Sequence, residues 1–223
     1  MKRSEINSII KNYEGWIGSM SFHLPPWAHW TLEQWNSLKD DATEIFENML
    51  GWDVTDFTKG NFSSFGLALF TIRNGNVKRD KKPYAEKILI IEEGQENPMH
   101  FHWYKMEDII NRGGGSLIIE AYASTDDEQL SKDSFSVSID GIKRKFEAGS
   151  QIVLEPGESI CIEPGLYHRF FAKGGRVLAG EVSMVNDDKT DNRFLEPLGR
   201  FSEIIEDETP YRLLCGDYYS FLR

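Results

Sequence analysis

One stretch constrains the chain more than any other. From Gly94 to Gly114 it reads G-x5-H-x-H-x4-E-x6-G, with His100, His102 and Glu107 at the marked positions. On a strand, alternate residues share a face, so His100 and His102 direct both imidazoles at one point when the backbone is extended. Glu107 adds a hard carboxylate a few residues on. A third imidazole stands far downstream at His168, in a Gly- and Pro-marked stretch that begins at Gly157. Three neutral imidazoles and one carboxylate form a mixed N/O donor set, which suits Mn, Fe, Co, Ni or Zn better than Mg or Ca.

The pattern around these residues is β. From residue 52 onward, short alternating runs are separated by turn signals. Tyr84 to Glu93 is one such run and leads straight into the His-x-His stretch. Asn74-Gly75 reads as a tight turn and Asp140-Gly141 as a hairpin turn. Gly113-Gly114-Gly115 reads as a turn between strands, and His168–Phe171 and Val177–Val185 as separate strands. Such spacing implies a sandwich or barrel. The N-terminal part is helical instead. Ile6, Ile9, Ile10, Tyr13 and Ile17 recur at three- and four-residue steps over 4–19, with Ser4 as the cap. Pro25-Pro26 breaks that helix, and Thr31 with Gln34 forms a capping box for a second helical region that Gly51 ends. Trp27 and Trp30 anchor this arm or form a sugar-stacking wall. His23 and His29 lie in the connector with no role the pattern assigns.

Composition bounds the partners. The 223 residues carry 36 Asp and Glu against 25 Lys and Arg, a net charge of −11. That balance argues against nucleic acid and against an anionic membrane surface, and favours a neutral small-molecule substrate. Two cysteines, Cys161 and Cys215, make no disulfide framework. Met1 to Glu5 lacks the apolar run of a signal peptide, so a cytoplasmic location is expected.

The first motif resembles that of the cupin superfamily, G-x5-H-x-H-x3–4-E-x6-G, and fills every fixed position. The downstream stretch resembles the second cupin motif, G-x5-P-x-G-x2-H-x3-N, with Gly157, Gly165 and His168 in register. Pro164 comes one place late, and Ala172 stands where Asn is expected. The resemblance implies an all-β cupin jelly-roll barrel with His100, His102, Glu107 and His168 as metal ligands. The chain then divides as a single domain over 1–223: a helical arm (1–51), the barrel (52–195) and a C-terminal extension (196–223).

A metal alone names no reaction, because one barrel hosts many chemistries. Proton-transfer groups narrow it. Lys105 stands two residues before Glu107 and shares its face if that segment is extended; a cation nearby would lower its proton affinity. Glu181 shares the smaller, more polar face of its strand with Val177, Ala179 and Ser183, and is a candidate base. Asn186 to Phe194 is rich in short polar groups, with Asp191 and Arg193 as candidate hydroxyl-binding residues. His100 to Gly115, together with Gly180 to Ser183 and Asn186 to Phe194, is similar to the D-lyxose isomerase family over nearly the whole chain. That resemblance implies a Mn2+-dependent ketol isomerase, with Co2+, Fe2+ or Zn2+ as other ions the donor set accepts. It implies interconversion of D-lyxose with D-xylulose and of D-mannose with D-fructose through a metal-stabilised cis-enediolate, in a homodimer. An iron dioxygenase, a non-catalytic sugar sensor and a phosphosugar isomerase are the competing readings. The last requires clustered cations, and Lys143, Arg144 and Lys145 are split between faces by alternation.

Overall fold

A computed structural model describes residues 1–79 and 81–222. The alternating runs form strands β1 (Gly51–Thr55), β2 (Leu67–Arg73), β3 (Tyr84–Ile91), β4 (His100–Phe101), β5 (Glu107–Ala123) and β6 (Phe135–Ile139). They continue as β7 (Ile142–Phe146), β8 (Ser150–Leu154), β9 (Ser159–Ile162), β10 (Leu166–Met184) and β11 (Arg193–Phe194). The strands pair antiparallel in the order β1-β2-β3-β10-β5-β9-β6-β7, with β4, β8 and β11 joining from the sides. The result is an all-β jelly-roll barrel with a helical N-terminal arm.

Two long strands, β5 with 17 residues and β10 with 19, form the spine. Gly113–Gly115 is not a turn, and His168–Phe171 and Val177–Val185 are not separate strands. Each chain runs through as one bent strand, and their pairing slips in register between Lys173 and Val177. The bend brings the two backbones very close. A Cβ at Gly114, whose φ is +99°, would lie 2.0 Å from the Arg176 carbonyl oxygen. Only glycine fits there, so the glycine run bends the strand rather than ending it.

Strand β3 shows how the layers are built. Lys87, Leu89 and Ile91 face the barrel interior, while Ile88 and Ile90 face outward and are equally buried. What covers them is helix α1 (Arg3–Ser19), whose Ile6, Ile10, Tyr13 and Ile17 pack on Trp52, Phe70, Ile88 and Ile90. Each such side chain contributes roughly 1.5–3 kcal/mol of burial. Ser4 does not cap α1; Lys2 occupies the N-cap, and Ser4 bonds the Asp207 carboxylate through its backbone N–H at 2.9 Å and its hydroxyl at 2.8 Å.

The Thr31–Gln34 capping box forms and opens α2 (Leu32–Leu38). The helical region then breaks into a short 3-10 turn and α3 (Thr43–Glu47), and Gly51 opens β1 instead of terminating a helix. Trp27 and Trp30 anchor this arm. Trp27 lies 4.9 Å from Phe70, and Trp30 lies 4.8 Å from Trp35, between ring centroids. Asn74-Gly75 is not a tight turn either. It starts a longer loop, and the buried Asn74 amide donates to the carbonyls of Asn48 and Asn186. Asp140-Gly141 is the expected hairpin, both residues having positive φ. Residues 196–222 return along α1. Arg3, fully buried, pairs there with Glu206 and Asp217.

Candidate metal and sugar site

His100 lies on β4 and His168 on β10, and the two are paired across the ladder. His102 follows in the turn that leads to Glu107 at the start of β5. The imidazole ring centroids are 4.3 Å (His100–His168), 5.2 Å (His100–His102) and 5.8 Å (His102–His168) apart. The three ligand nitrogens lie within 4.8 Å of one another.

Each Nδ1 is engaged by a backbone carbonyl: Pro98 at 2.8 Å for His100, Asp191 at 2.5 Å for His102, and Leu166 at 3.0 Å for His168. A carbonyl only accepts, so each Nδ1 carries the proton and each Nε2 keeps its lone pair. Glu107 Oε1 lies 3.1 Å from His168 Nε2 and 3.5 Å from His102 Nε2. In that tautomer the close pair is acceptor against acceptor, and His168 Nε2 has no hydrogen-bond partner. Lone pairs gathered around one point without a donor fit a cation between them. The residues therefore suit a divalent first-row metal. Burial, followed by the neighbouring imidazoles, holds His100 neutral to well below the ordinary histidine range.

The remaining wall is a run of charges. Lys105 Nζ lies 2.7 Å from Glu107 Oε2 and 3.0 Å from Glu181 Oε1. Lys87 Nζ lies 3.2 Å from Glu181 Oε1 and 4.0 Å from Asp188 Oδ1, and donates to Asn186 Oδ1 at 2.6 Å. Arg200 Nη2 lies 3.1 Å from Asp188 Oδ2 and 2.8 Å from Asp53 Oδ2. Burial alone would lower the proton affinity of Lys105; the carboxylates of Glu107, Glu181 and Asp188 outweigh it and raise it. Among its protein neighbours alone Lys105 is thus a firmly charged ammonium, whereas the lowering expected of a lysine beside a cation concerns the metal-bound site. Burial pushes the Glu107 acid up, but Lys105 and His102 outweigh that and hold it well below the usual carboxylate range. Apart from Asn186 and Asp53, these residues line a cleft of about 470 Å³, counting its open mouth.

Lys105 and Glu181, singled out from sequence, meet here. Asp191 and Arg193 do not line the cleft. The Asp191 carboxylate accepts from the backbone N–H groups of Trp103 (2.8 Å), Tyr104 (3.0 Å) and Lys105 (3.0 Å). Arg193 turns to Glu128, 2.8 Å away, which also accepts from Trp103 Nε1. His23 and His29 are exposed and outside the cleft, His29 lying 3.3 Å from Glu14. Lys143, Arg144 and Lys145 lie exposed on β7. Burial and Asp108 push the Cys161 thiol up to about 11, so it is no ready nucleophile. Sequence reasoning missed Lys87, although its alternation with Leu89 and Ile91 places it on the interior face. It also missed Arg200, which no periodicity marks.

Comparison with known proteins places the chain in a family. The family model described as D-lyxose isomerase matches residues 1–218. A D-lyxose/D-mannose isomerase of Escherichia coli O157:H7 is 50% identical over 226 residues, covering 99% of this chain and 100% of that protein. One of the same description from Serratia proteamaculans is 47% identical over 227 residues, covering 100% of both. The L-ribose isomerase of Acinetobacter sp. DL28, solved with L-ribose, superposes with a TM-score of 0.59 at 12% identity, covering 92% of this chain and 98% of that one; the likeness is one of fold. The protein is a cupin-fold sugar isomerase, of the kind that interconverts aldoses and ketoses. Within that class the chain belongs to the D-lyxose isomerase family.

Proposed function

We propose that the protein interconverts D-lyxose with D-xylulose, and D-mannose with D-fructose, using a divalent cation held by His100, His102, Glu107 and His168. The carrying observation is the buried His168 Nε2, which faces Glu107 Oε1 with no donor between them. The substrates follow from relatives described as D-lyxose/D-mannose isomerases at 50% and 47% identity. Mn2+ is the ion the family resemblance implies, and Co2+, Fe2+ and Zn2+ share its liking for this donor set.

When bound, the cation supplies polarisation of the carbonyl and countercharge for the cis-enediolate. The protein moves the protons. Glu181, anchored by Lys105, by Lys87 and by the Ser183 hydroxyl at 3.2 Å, takes the proton from the sugar's C2 and returns it to C1. Lys105, kept charged by three carboxylates, donates to the carbonyl oxygen as it becomes a hydroxyl, and recovers a proton from the C2 hydroxyl as that becomes the ketone. Asp191 and Arg193 act as positioning residues in this scheme: Asp191 orients His102 and Lys105, and Arg193 braces the loop through Glu128. Free rather than phosphorylated sugar is favoured because Lys87, Lys105 and Arg200 are already matched by carboxylates.

A homodimer and a cytoplasmic location belong to the same proposal. Tyr84, Val182 and Met184 on adjoining strands, with Met106 just before β5, leave apolar side chains exposed, a surface a second copy would cover. Both cysteines are unpaired, as suits a reducing compartment. No helix of the described residues is long and apolar enough to cross a membrane.

The test is ketose formation from both sugars after EDTA treatment and again after adding Mn2+. Activity lost and then restored is expected; full activity in metal-free protein would overturn the reading. Glu181→Gln and Lys105→Met, each with metal content intact, are expected to lose about 10²- to 10⁴-fold in turnover. Wild-type turnover in both variants would remove the proton-transfer assignment.

A further inference from the structure

Four buried side-chain nitrogens among the described residues have no hydrogen-bond partner: Trp52 Nε1, His168 Nε2, Arg176 Nε and Arg200 Nη1. Two of them, on His168 and Arg200, belong to residues that line one cavity. Native proteins leave few buried polar atoms alone, because each costs about 1–3 kcal/mol, so an orphan on a residue that lines a binding cleft points to what the cleft receives. The His168 lone pair is accounted for by a cation. The Arg200 donor is not.

The rest of that guanidinium is held. Nη2 meets both Asp188 and Asp53, the Arg200 side chain is only 10% exposed, and its central carbon stands 4.8 Å from the Phe201 ring centroid. A planar fork tied at one nitrogen has little freedom at the other, so the Nη1 N–H groups keep a set direction. From the metal ligands to Arg200 the wall alternates in charge: Glu107, Lys105, Glu181, Lys87, Asp188, Arg200. Successive steps are 2.7, 3.0, 3.2, 4.0 and 3.1 Å. Each cation before the last spends its charge on a carboxylate at either side. Arg200, five steps from the metal ligand, is where the wall still has a donor to give.

We propose that Arg200 is a specificity-determining residue, whose Nη1 donates to a hydroxyl oxygen on the unreacting end of the sugar. The ligand class is a neutral polyhydroxylated chain, bound at its far end by this nitrogen while the reacting carbons sit by Glu181 and Lys105. A site that spends a buried donor on one hydroxyl discriminates against a sugar lacking it. This inference rests on the isomerase reading of the cleft.

Arg200→Lys tests it, because lysine keeps a positive charge for Asp53 and Asp188 but deletes the second nitrogen of the fork. With Mn2+-loaded protein and D-lyxose, the expected result is a KM about tenfold higher, kcat within about threefold, and unchanged melting temperature and metal content. A KM at the wild-type value in a folded, metal-loaded variant would overturn the inference. Should the variant be destabilised, the wild-type enzyme decides the matter with the 4-deoxy and 5-deoxy analogues of D-lyxose. One of them is expected to lose about tenfold in kcat/KM. Equal turnover of both analogues and the parent sugar would overturn the inference. Absence of turnover of D-lyxose itself by the Mn2+-loaded wild type would instead remove the underlying reading.

Discussion

Arg3 and Arg200 both hold their side chains largely out of solvent, and their surroundings differ in one respect. Arg3 is 0% exposed and saturated: Nε and Nη2 bond Glu206 at 2.9 and 2.7 Å, while Nη1 and Nη2 bond Asp217 at 2.9 and 3.0 Å. Arg200 also faces two carboxylates, yet both sit on one nitrogen and the other is unpartnered. Arg3 joins the helical arm to the C-terminal extension, which calls for a closed set of bonds. The cleft keeps valences open, on Arg200 and on His168, because something must arrive to fill them. A closed ion cluster holds the chain together, whereas an open one waits for a ligand.

The largest expected effect breaks the open end. His168→Ala removes one of the lone pairs gathered at the metal site. Metal content is expected to fall and turnover to drop by on the order of 10³-fold or more, since a bound cation contributes several kcal/mol to such a reaction. The fold of the metal-free protein is expected to lose less than it does when a buried charge is stranded, since truncating His168 leaves a cavity and no unpaired ion. Metal analysis, turnover and thermal melts of the same preparation check the three statements together.

Arg3→Ala is the converse. It strands Asp217, which is buried, and leaves Glu206 without its cation. The expected cost is about 3–5 kcal/mol of stability, read as a lower denaturant midpoint. The residual folded protein is expected to keep its kcat. If Arg3→Ala cut kcat at constant fold, or His168→Ala destabilised the metal-free fold as much, the distinction between closed and open clusters would fail.

A smaller effect is expected at Asp191→Asn, which sharpens the contrast from just behind the cleft wall. The carboxylate gathers three backbone N–H groups of the turn carrying Lys105, while the Asp191 main-chain carbonyl fixes His102. The amide keeps one acceptor but turns an NH2 toward a donor. Turnover is expected to fall about 10- to 100-fold, as for residues that orient a site's working groups. Metal affinity should hold, since the His102 contact is to the backbone. Parallel loss of metal affinity and turnover would mean the side chain supports the ligands as well.

How far these groups were readable follows from how local their signals are. His100, His102 and Glu107 lie within eight residues, and strand alternation turns that spacing into a shared face. Glu181 was readable from the contrast between the two faces of its strand. Lys87 carried the same signal, but a lysine beside Ile88, Leu89, Ile90 and Ile91 is easily taken for the solvent end of an apolar strand. The Gly113–Gly115 run was misread because glycine serves a turn and a strand bend equally, and only the approach of Arg176 decides between them. Asp191 and Arg193 lie in a segment that also carries Asp188 and Asn192 of the cleft wall, yet a loop rich in short polar residues does not reveal which side chain faces inward. Arg200 depends on Asp53 and Asp188, remote from each other in the chain, so nothing local to it carries a sign.

The smallest expected effect concerns pH. Burial first, and then His168 and His102, keep the folded His100 from accepting a proton until well below its ordinary value near 6.5. In the unfolded chain the same residue titrates at about 6.5. Below that pH the unfolded state therefore holds more protons, and stability falls as pH falls. The contribution of neutral His100 is complete above about pH 6.5 and is lost progressively as pH descends toward its folded value. Arg3 has no such dependence, since its charge is fixed throughout that range. In metal-free protein, the unfolding free energy read from denaturant curves between pH 7.5 and 5.5 is expected to decline by up to about 1.4 kcal/mol on this account. His100→Asn should flatten that slope. An equal slope in wild type and His100→Asn would show that the His100 imidazole takes up a proton as freely as one in an unfolded chain, and the picture of its lone pair held open for a cation would lose its basis.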